Sequence, residues 1–79
     1  VMVKPAGYYL DIINEIKKNS LVPVAAYQVS GEYVMIKNAS DEKLIDYKSC
    51  VLESLSCIKR AGADVIFSYF SKEVAQWLK

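Results

Sequence analysis

The opening apolar run, Val1-Met2-Val3, ends on Lys4, and Pro5 closes it. At a strand end whose neighbours exclude water, desolvation penalises an ammonium and frees the amine as a nucleophile toward a ketone or aldehyde. The plainer reading is a side chain snorkelling out to solvent, as strand-end lysines commonly do. Ser30-Gly31-Glu32 offers a hydroxyl and backbone N–H groups at a helix start, a place that can hold a substrate carboxylate, with glycine permitting close approach. Ordinary capping, with Ser30 bonding the backbone and Glu32 complementing the dipole, uses the same residues. Tyr27 and Tyr69 belong to apolar runs. Each either fills a core and satisfies its hydroxyl locally or hydrogen-bonds a polar substrate group.

Other chemistries lack their residues. Histidine is absent from all 79 positions, so no imidazole can act as base, shuttle or metal ligand. Cys50 and Cys57 are seven positions apart. On one helix stripe that spacing is about 10 Å along the axis, too far for a disulfide and too sparse for a metal. Ten basic residues against nine acidic give a net charge of +1, with no basic run longer than Lys17-Lys18. A nucleic-acid partner is therefore not expected. No apolar run approaches the ~20 residues of a membrane span, and no basic-then-apolar leader opens the chain. With 53% apolar side chains and only three glycines and two prolines, the composition is that of a packed core and excludes disordered or collagenous classes. The expectation is a soluble, intracellular α/β piece. Because it begins inside strand material without an initiator methionine, it reads as part of something longer.

The elements that must position these residues alternate as strand, helix, strand, helix, strand, helix. Val1 to Lys4 is the first strand. Tyr9, Ile12, Ile13 and Ile16 form one stripe of an amphipathic helix that Asn19-Ser20 stop, with Lys17 and Lys18 suited to its last turn. Val24 to Val29 is the second strand, apolar on both faces as buried parallel strands are. Ser30-Gly31-Glu32 reads as a tight turn and Tyr33 to Asn38 as a short helix. Ser40 to Leu44 connects to a long helix capped by Asp46, carrying Tyr47, Cys50, Val51, Leu55 and Ile58 and closed by Ala61-Gly62. Val65 to Phe70 is the third strand. Ser71 caps a last helix bearing Val74, Trp77 and Leu78.

Three βα units imply three parallel strands. A (β/α)8 barrel takes ~250 residues, roughly 30 per unit, so residues 1–79 fit part of one barrel domain better than a flavodoxin-like fold, which wants about five strands. In such folds reactive residues stand at the carboxyl ends of the strands. That rule alone selects Lys4, Tyr27 to Ser30, Ser68 and Tyr69.

These residues also carry a resemblance. Met2-Val3-Lys4-Pro5 with Tyr9-Leu10-Asp11-Ile12 resembles the segment around a Schiff-base lysine of the porphobilinogen synthase (5-aminolevulinate dehydratase) family. Tyr27 to Tyr33, Leu52-Glu53-Ser54-Leu55, Arg60 to Asp64 and Ser68-Tyr69 follow in that family's order. The resemblance covers essentially the whole chain and implies the C-terminal three βα units of a TIM barrel. It implies the condensation of two 5-aminolevulinate molecules to porphobilinogen with loss of two waters, in tetrapyrrole and haem biosynthesis. Lys4 is similar to the lysine that binds the substrate of the propionate side. Ser30 and Tyr69 match residues that bind its carboxylate, and Tyr27 a tyrosine lining the pocket.

The resemblance further implies a homo-octamer, a cytosolic or plastid location, and zinc or magnesium held outside this segment, which itself carries no metal ligands. A second Schiff-base lysine and the remainder of the barrel are likewise implied to lie elsewhere, so the 79 residues alone are expected to be inactive. Two alternatives stand beside this reading: a class I aldolase-like Schiff-base lyase on the same barrel, and a non-catalytic α/β module in which Lys4 and Ser30 are structural.

Overall fold

In a computed structural model that describes residues 1–79, the chain folds into three parallel strands in the order β1-β2-β3: β1 (Met2–Val3), β2 (Ala25–Gln28) and β3 (Val65–Ser68). Helices α1 (Leu10–Asn19), α2 (Ser30–Asp41), α3 (Tyr47–Ala61) and α4 (Ser71–Trp77) connect and follow them, with a 3-10 turn at Ala6–Tyr8 after a cis Lys4–Pro5 peptide. The expected alternation is thus present, with β2 and β3 joined through two successive helices.

Register explains the core. Val3 pairs with Ala26 and Ala26 with Ile66, and this row faces the helices. Val3 and Ala26 are buried together with Ala6, Ile13, Val24, Ile58 and Ala63. Side chains alternate across a strand, so the neighbouring row of Met2, Ala25 and Val65 points the other way. Met2, Val65 and Phe67 are each about half exposed there. On β2 itself Ala26 and Gln28 are buried toward the helices, while Ala25 and Tyr27 on the other side are half-buried, so that strand is fully covered on one face only. The core helices α1 and α3 pack against one another on one side of the sheet, and the opposite side is bare.

Element ends also differ from the periodic reading. Residues 30–32 are the first turn of α2, not a separate turn, and that helix runs on to Asp41. The third strand stops at Ser68, and Phe70 rather than Ser71 occupies the cap position of α4. In α1 the core stripe is Leu10, Ile13 and Ile16, while Tyr9 and Ile12 are exposed. The helix presents only a narrow face to α3 and the sheet, and an i, i+3, i+6 row suffices to cover it. The long helix matches its expected limits. Asp46 Oδ2 accepts the Ser49 N–H at 3.0 Å, and Gly62 ends the helix with φ +124°, a conformation that favours glycine.

Candidate active site

Lys4 follows the last residue of β1, Ser30 opens α2 two residues past β2, and Tyr69 follows the last residue of β3. Because the strands are parallel, all three lie at the same end of the sheet. Lys4, Tyr27 and Tyr69 line one groove of about 560 Å³ together with Met2, Ile66, Phe67, Ser68 and Ser71. Ser30 is not among its lining residues. Its side chain is exposed and makes no hydrogen bond within the chain.

Lys4 is exposed, which corrects the expectation of a dry strand end. The cause is its position: β1 is an edge strand, and besides the groove just described Lys4 borders a second, smaller one of about 310 Å³ against Tyr9, Ile12 and Ile16. No element of the chain covers the amine from the bare side of the sheet.

The two tyrosines work as a pair. Tyr27 donates to the Tyr69 hydroxyl at 3.4 Å, with the rings nearly parallel and their centres 6.3 Å apart. That hydrogen bond, with a smaller part from burial, raises the Tyr27 phenol above its ordinary 10.0. Tyr69 in turn leans on Tyr33, and Tyr33 on the fully buried Phe70. Tyr69 thus has a firm base while its surface is 54% exposed. A phenol so placed can donate to an oxygen of a bound molecule.

Two residues that the sequence reading treated lightly or passed over hold this end of the sheet together. Gln28, 1% exposed, donates to Ser54 Oγ at 2.9 Å and accepts from Ser68 Oγ at 2.6 Å; Ser68 Oγ also accepts the Phe70 N–H at 3.1 Å. The amide thereby ties β2 to α3 and fixes the turn that carries Tyr69. Its signal was a polar residue inside an otherwise apolar strand. Glu32, also buried, accepts the Val29 N–H at 3.1 Å through one oxygen and the Gly7 N–H at 2.9 Å through the other. It completes one half of a capping box whose other half is missing, because the cap position holds Val29, which has no side-chain oxygen. Ser30 does not cap the helix.

A side chain built on Gly31 would meet no protein atom within 4 Å, so no contact within the chain requires glycine there. No three His, Cys, Asp or Glu side chains converge in the chain, and both cysteines are free. No helix is long and apolar enough to cross a membrane.

Comparison with known proteins gives one consistent result. The family model described as "Delta-aminolevulinic acid dehydratase" matches residues 1–77. The delta-aminolevulinic acid dehydratase of Helicobacter pylori (strain J99) is 56% identical over the whole chain, which covers 24% of that protein. The chloroplastic enzyme of Physcomitrium patens is 55% identical over 99% of the chain, or 18% of its own length. The crystal structure of the Toxoplasma gondii enzyme, named also porphobilinogen synthase and solved in complex with the reaction product porphobilinogen, superposes with a TM-score of 0.95. It is 47% identical over 96% of this chain and 22% of that one. The chain therefore spans about a quarter or less of the length of these relatives.

Proposed function

The chain belongs to the delta-aminolevulinic acid dehydratase family, and from that premise we propose that it is the C-terminal three βα units of a porphobilinogen synthase barrel. In this reading it contributes one substrate site to the condensation of two 5-aminolevulinate molecules. Lys4 Nζ, as the free amine, adds to the keto carbon of one substrate. The carbinolamine takes up a proton from solvent, water leaves, and an iminium joins the side chain to the substrate. The iminium draws electrons from the adjacent carbon and so acidifies its C–H bonds, which prepares that carbon to form a new bond. Ser30 and Tyr69 hold the substrate carboxylate and so fix its orientation, and Tyr27 lines the same pocket.

The observation that carries the reading is the shared groove of Lys4, Tyr27 and Tyr69 at the carboxyl ends of the strands, where parallel α/β folds present their chemistry. The Ser30 hydroxyl, unpartnered at the same end, extends it. The exposure of Lys4 gives the rest of the enzyme its part: residues outside these 79 cover the bare side of the sheet and exclude water from the amine. Those residues also supply the zinc or magnesium ligands and the subunit contacts of a homo-octamer. The enzyme works in the cytosol or in plastids, and neither nucleic acid nor membrane is a partner. The family match favours this reaction over an aldolase-like lyase or a non-catalytic module.

Reduction with borohydride in the presence of 5-aminolevulinate tests the reading in the full-length enzyme. Hydride converts the iminium to a stable secondary amine, and peptide mass mapping is expected to find the adduct on Lys4. Lys4→Ala is expected to lose that adduct and to retain less than about a hundredth of the turnover. An unlabelled Lys4 in the active enzyme refutes the assignment.

A further inference from the structure

We propose that Glu32 is a positioning residue that sets the placement of the Lys4 amine relative to the Ser30 hydroxyl. The inference rests on the reading above and adds to it a group that touches no substrate. Glu32 is 7% exposed, and each of its oxygens is committed to a different segment. One takes the N–H of Val29, the residue immediately before Ser30, and the other takes the N–H of Gly7, three residues past Lys4. A single carboxylate thus joins the loop that leaves β1 to the start of α2, across 25 positions of sequence.

Its charge has no cationic partner, since the chain's ion pair is Lys17–Asp64. The two N–H groups and the positive end of the twelve-residue α2 compensate it instead. Gly7 is part of the same device. A Cβ at that position would lie 2.6 Å from Glu32 Oε2, so any other residue pushes the carboxylate off the loop. Glutamate reaches both donors where aspartate, one methylene shorter, reaches one. A glutamine presents an NH2 to one of them. Either change releases the lysine loop from the helix that bears Ser30 while leaving the reacting groups themselves intact.

The test is made on the full-length enzyme with Glu32→Gln, Gly7→Ala and the double variant. Displacement of the amine from the carboxylate clamp by about an ångström is expected to lower kcat by about 10- to 100-fold. The KM for 5-aminolevulinate is expected to stay within about threefold of the unsubstituted enzyme, with full borohydride labelling of Lys4 at saturating substrate. Since both changes break one connection, the double variant is expected to lose no more than the worse single one. Losses that multiply, or single variants within twofold of the unsubstituted kcat while Lys4 is labelled, overturn the inference and leave the reading of Lys4 standing. An unlabelled Lys4 in the unsubstituted enzyme overturns both. Where Glu32→Gln fails to fold, Gly7→Ala, which keeps the carboxylate and its charge, decides by the same kcat criterion.

Discussion

Lys17 Nζ on α1 lies 2.7 and 2.8 Å from the two carboxylate oxygens of Asp64, and the second of these also accepts the Val24 N–H at 2.8 Å. The pair joins the end of the first helix to the starts of β2 and β3, at the opposite end of the sheet from Lys4. The contact closes tightly around Gly62, where an added Cβ would sit 2.9 Å from Lys17 Cβ and Cγ.

The hydrogen bond from Lys17, helped by Val24, holds the Asp64 carboxyl below its ordinary 3.8. Between the folded and unfolded values the unfolded chain binds more protons, so this contribution is present above pH 3.8 and lost as pH falls through the folded value. Asp64→Asn is expected to flatten the acid limb of thermal stability, and its deficit against the unsubstituted chain is expected to narrow below that pH. Parallel curves for the two proteins between pH 2 and 6 would contradict it.

Tyr47 gives the opposite sign at the other extreme. Burial, then the hydrogen bond to Glu73 Oε1 at 2.8 Å, push its phenol up to about 12. The folded state keeps the proton that the unfolded chain releases near pH 10, so stability from this group is full below pH 10 and falls as pH rises toward 12. Tyr47→Phe is expected to cost about 1 kcal/mol at neutral pH, by loss of the hydrogen bond, and to show a shallower alkaline fall. Denaturant midpoints measured from pH 7 to 12 read both effects.

Gln28→Leu replaces the buried amide by an apolar side chain and removes the relay. The Ser68 hydroxyl then has no acceptor at Gln28, and Ser54 loses its donor. A cost of about 2 kcal/mol is expected, with Ser54→Ala closer to about 1 kcal/mol because only one contact of the amide is lost. Equal denaturant midpoints for Gln28→Leu and the unsubstituted chain would show that the relay contributes nothing.

In the full-length enzyme, Ser30→Ala and Tyr69→Phe each remove one donor from the proposed carboxylate site. Hydrogen bonds to a charged group are worth enough that kcat/KM is expected to fall about tenfold or more for each. Steady-state kinetics with 5-aminolevulinate that show less than a twofold change in both variants would remove these residues from the site.

Purified as 79 residues, the chain is expected to form no porphobilinogen and to associate as concentration rises. The edge of β1 and the bare row of Met2, Val65 and Phe67 leave hydrogen-bonding groups and apolar area unpartnered. Product in a colorimetric assay, or a single monomer boundary in sedimentation across a wide concentration range, would contradict these expectations.

What the sequence disclosed and what it withheld divide along a physical line. The alternation of strands and helices, Asp46 as a cap and Gly62 as a stop are local signals and stand as read, whereas the stripe of α1 lies on Leu10, Ile13 and Ile16 rather than on Tyr9 and Ile12. The strand-end rule selects Lys4, Tyr27 to Ser30, Ser68 and Tyr69, and the fold gathers Lys4, Tyr27, Ser68 and Tyr69 in one groove. A polar residue in an apolar strand marks Gln28, and Glu32 bonds locally to Val29, but their partners 25 to 40 positions away are disclosed by no local pattern. The dryness assigned to Lys4 failed for a related reason. Flanking apolar residues speak for their own strand, whereas water is excluded by whatever lies across from it.

The bare side of the sheet has a consequence for how this stretch of sequence reads under substitution. Val3, Ala26 and Ile66 serve the folding of these very elements, whereas Met2, Val65 and Phe67 on the alternate register face away from the helices of the chain. In the proposed barrel their apolar character answers to a facing surface. Half of each strand then serves its own helices and half a companion.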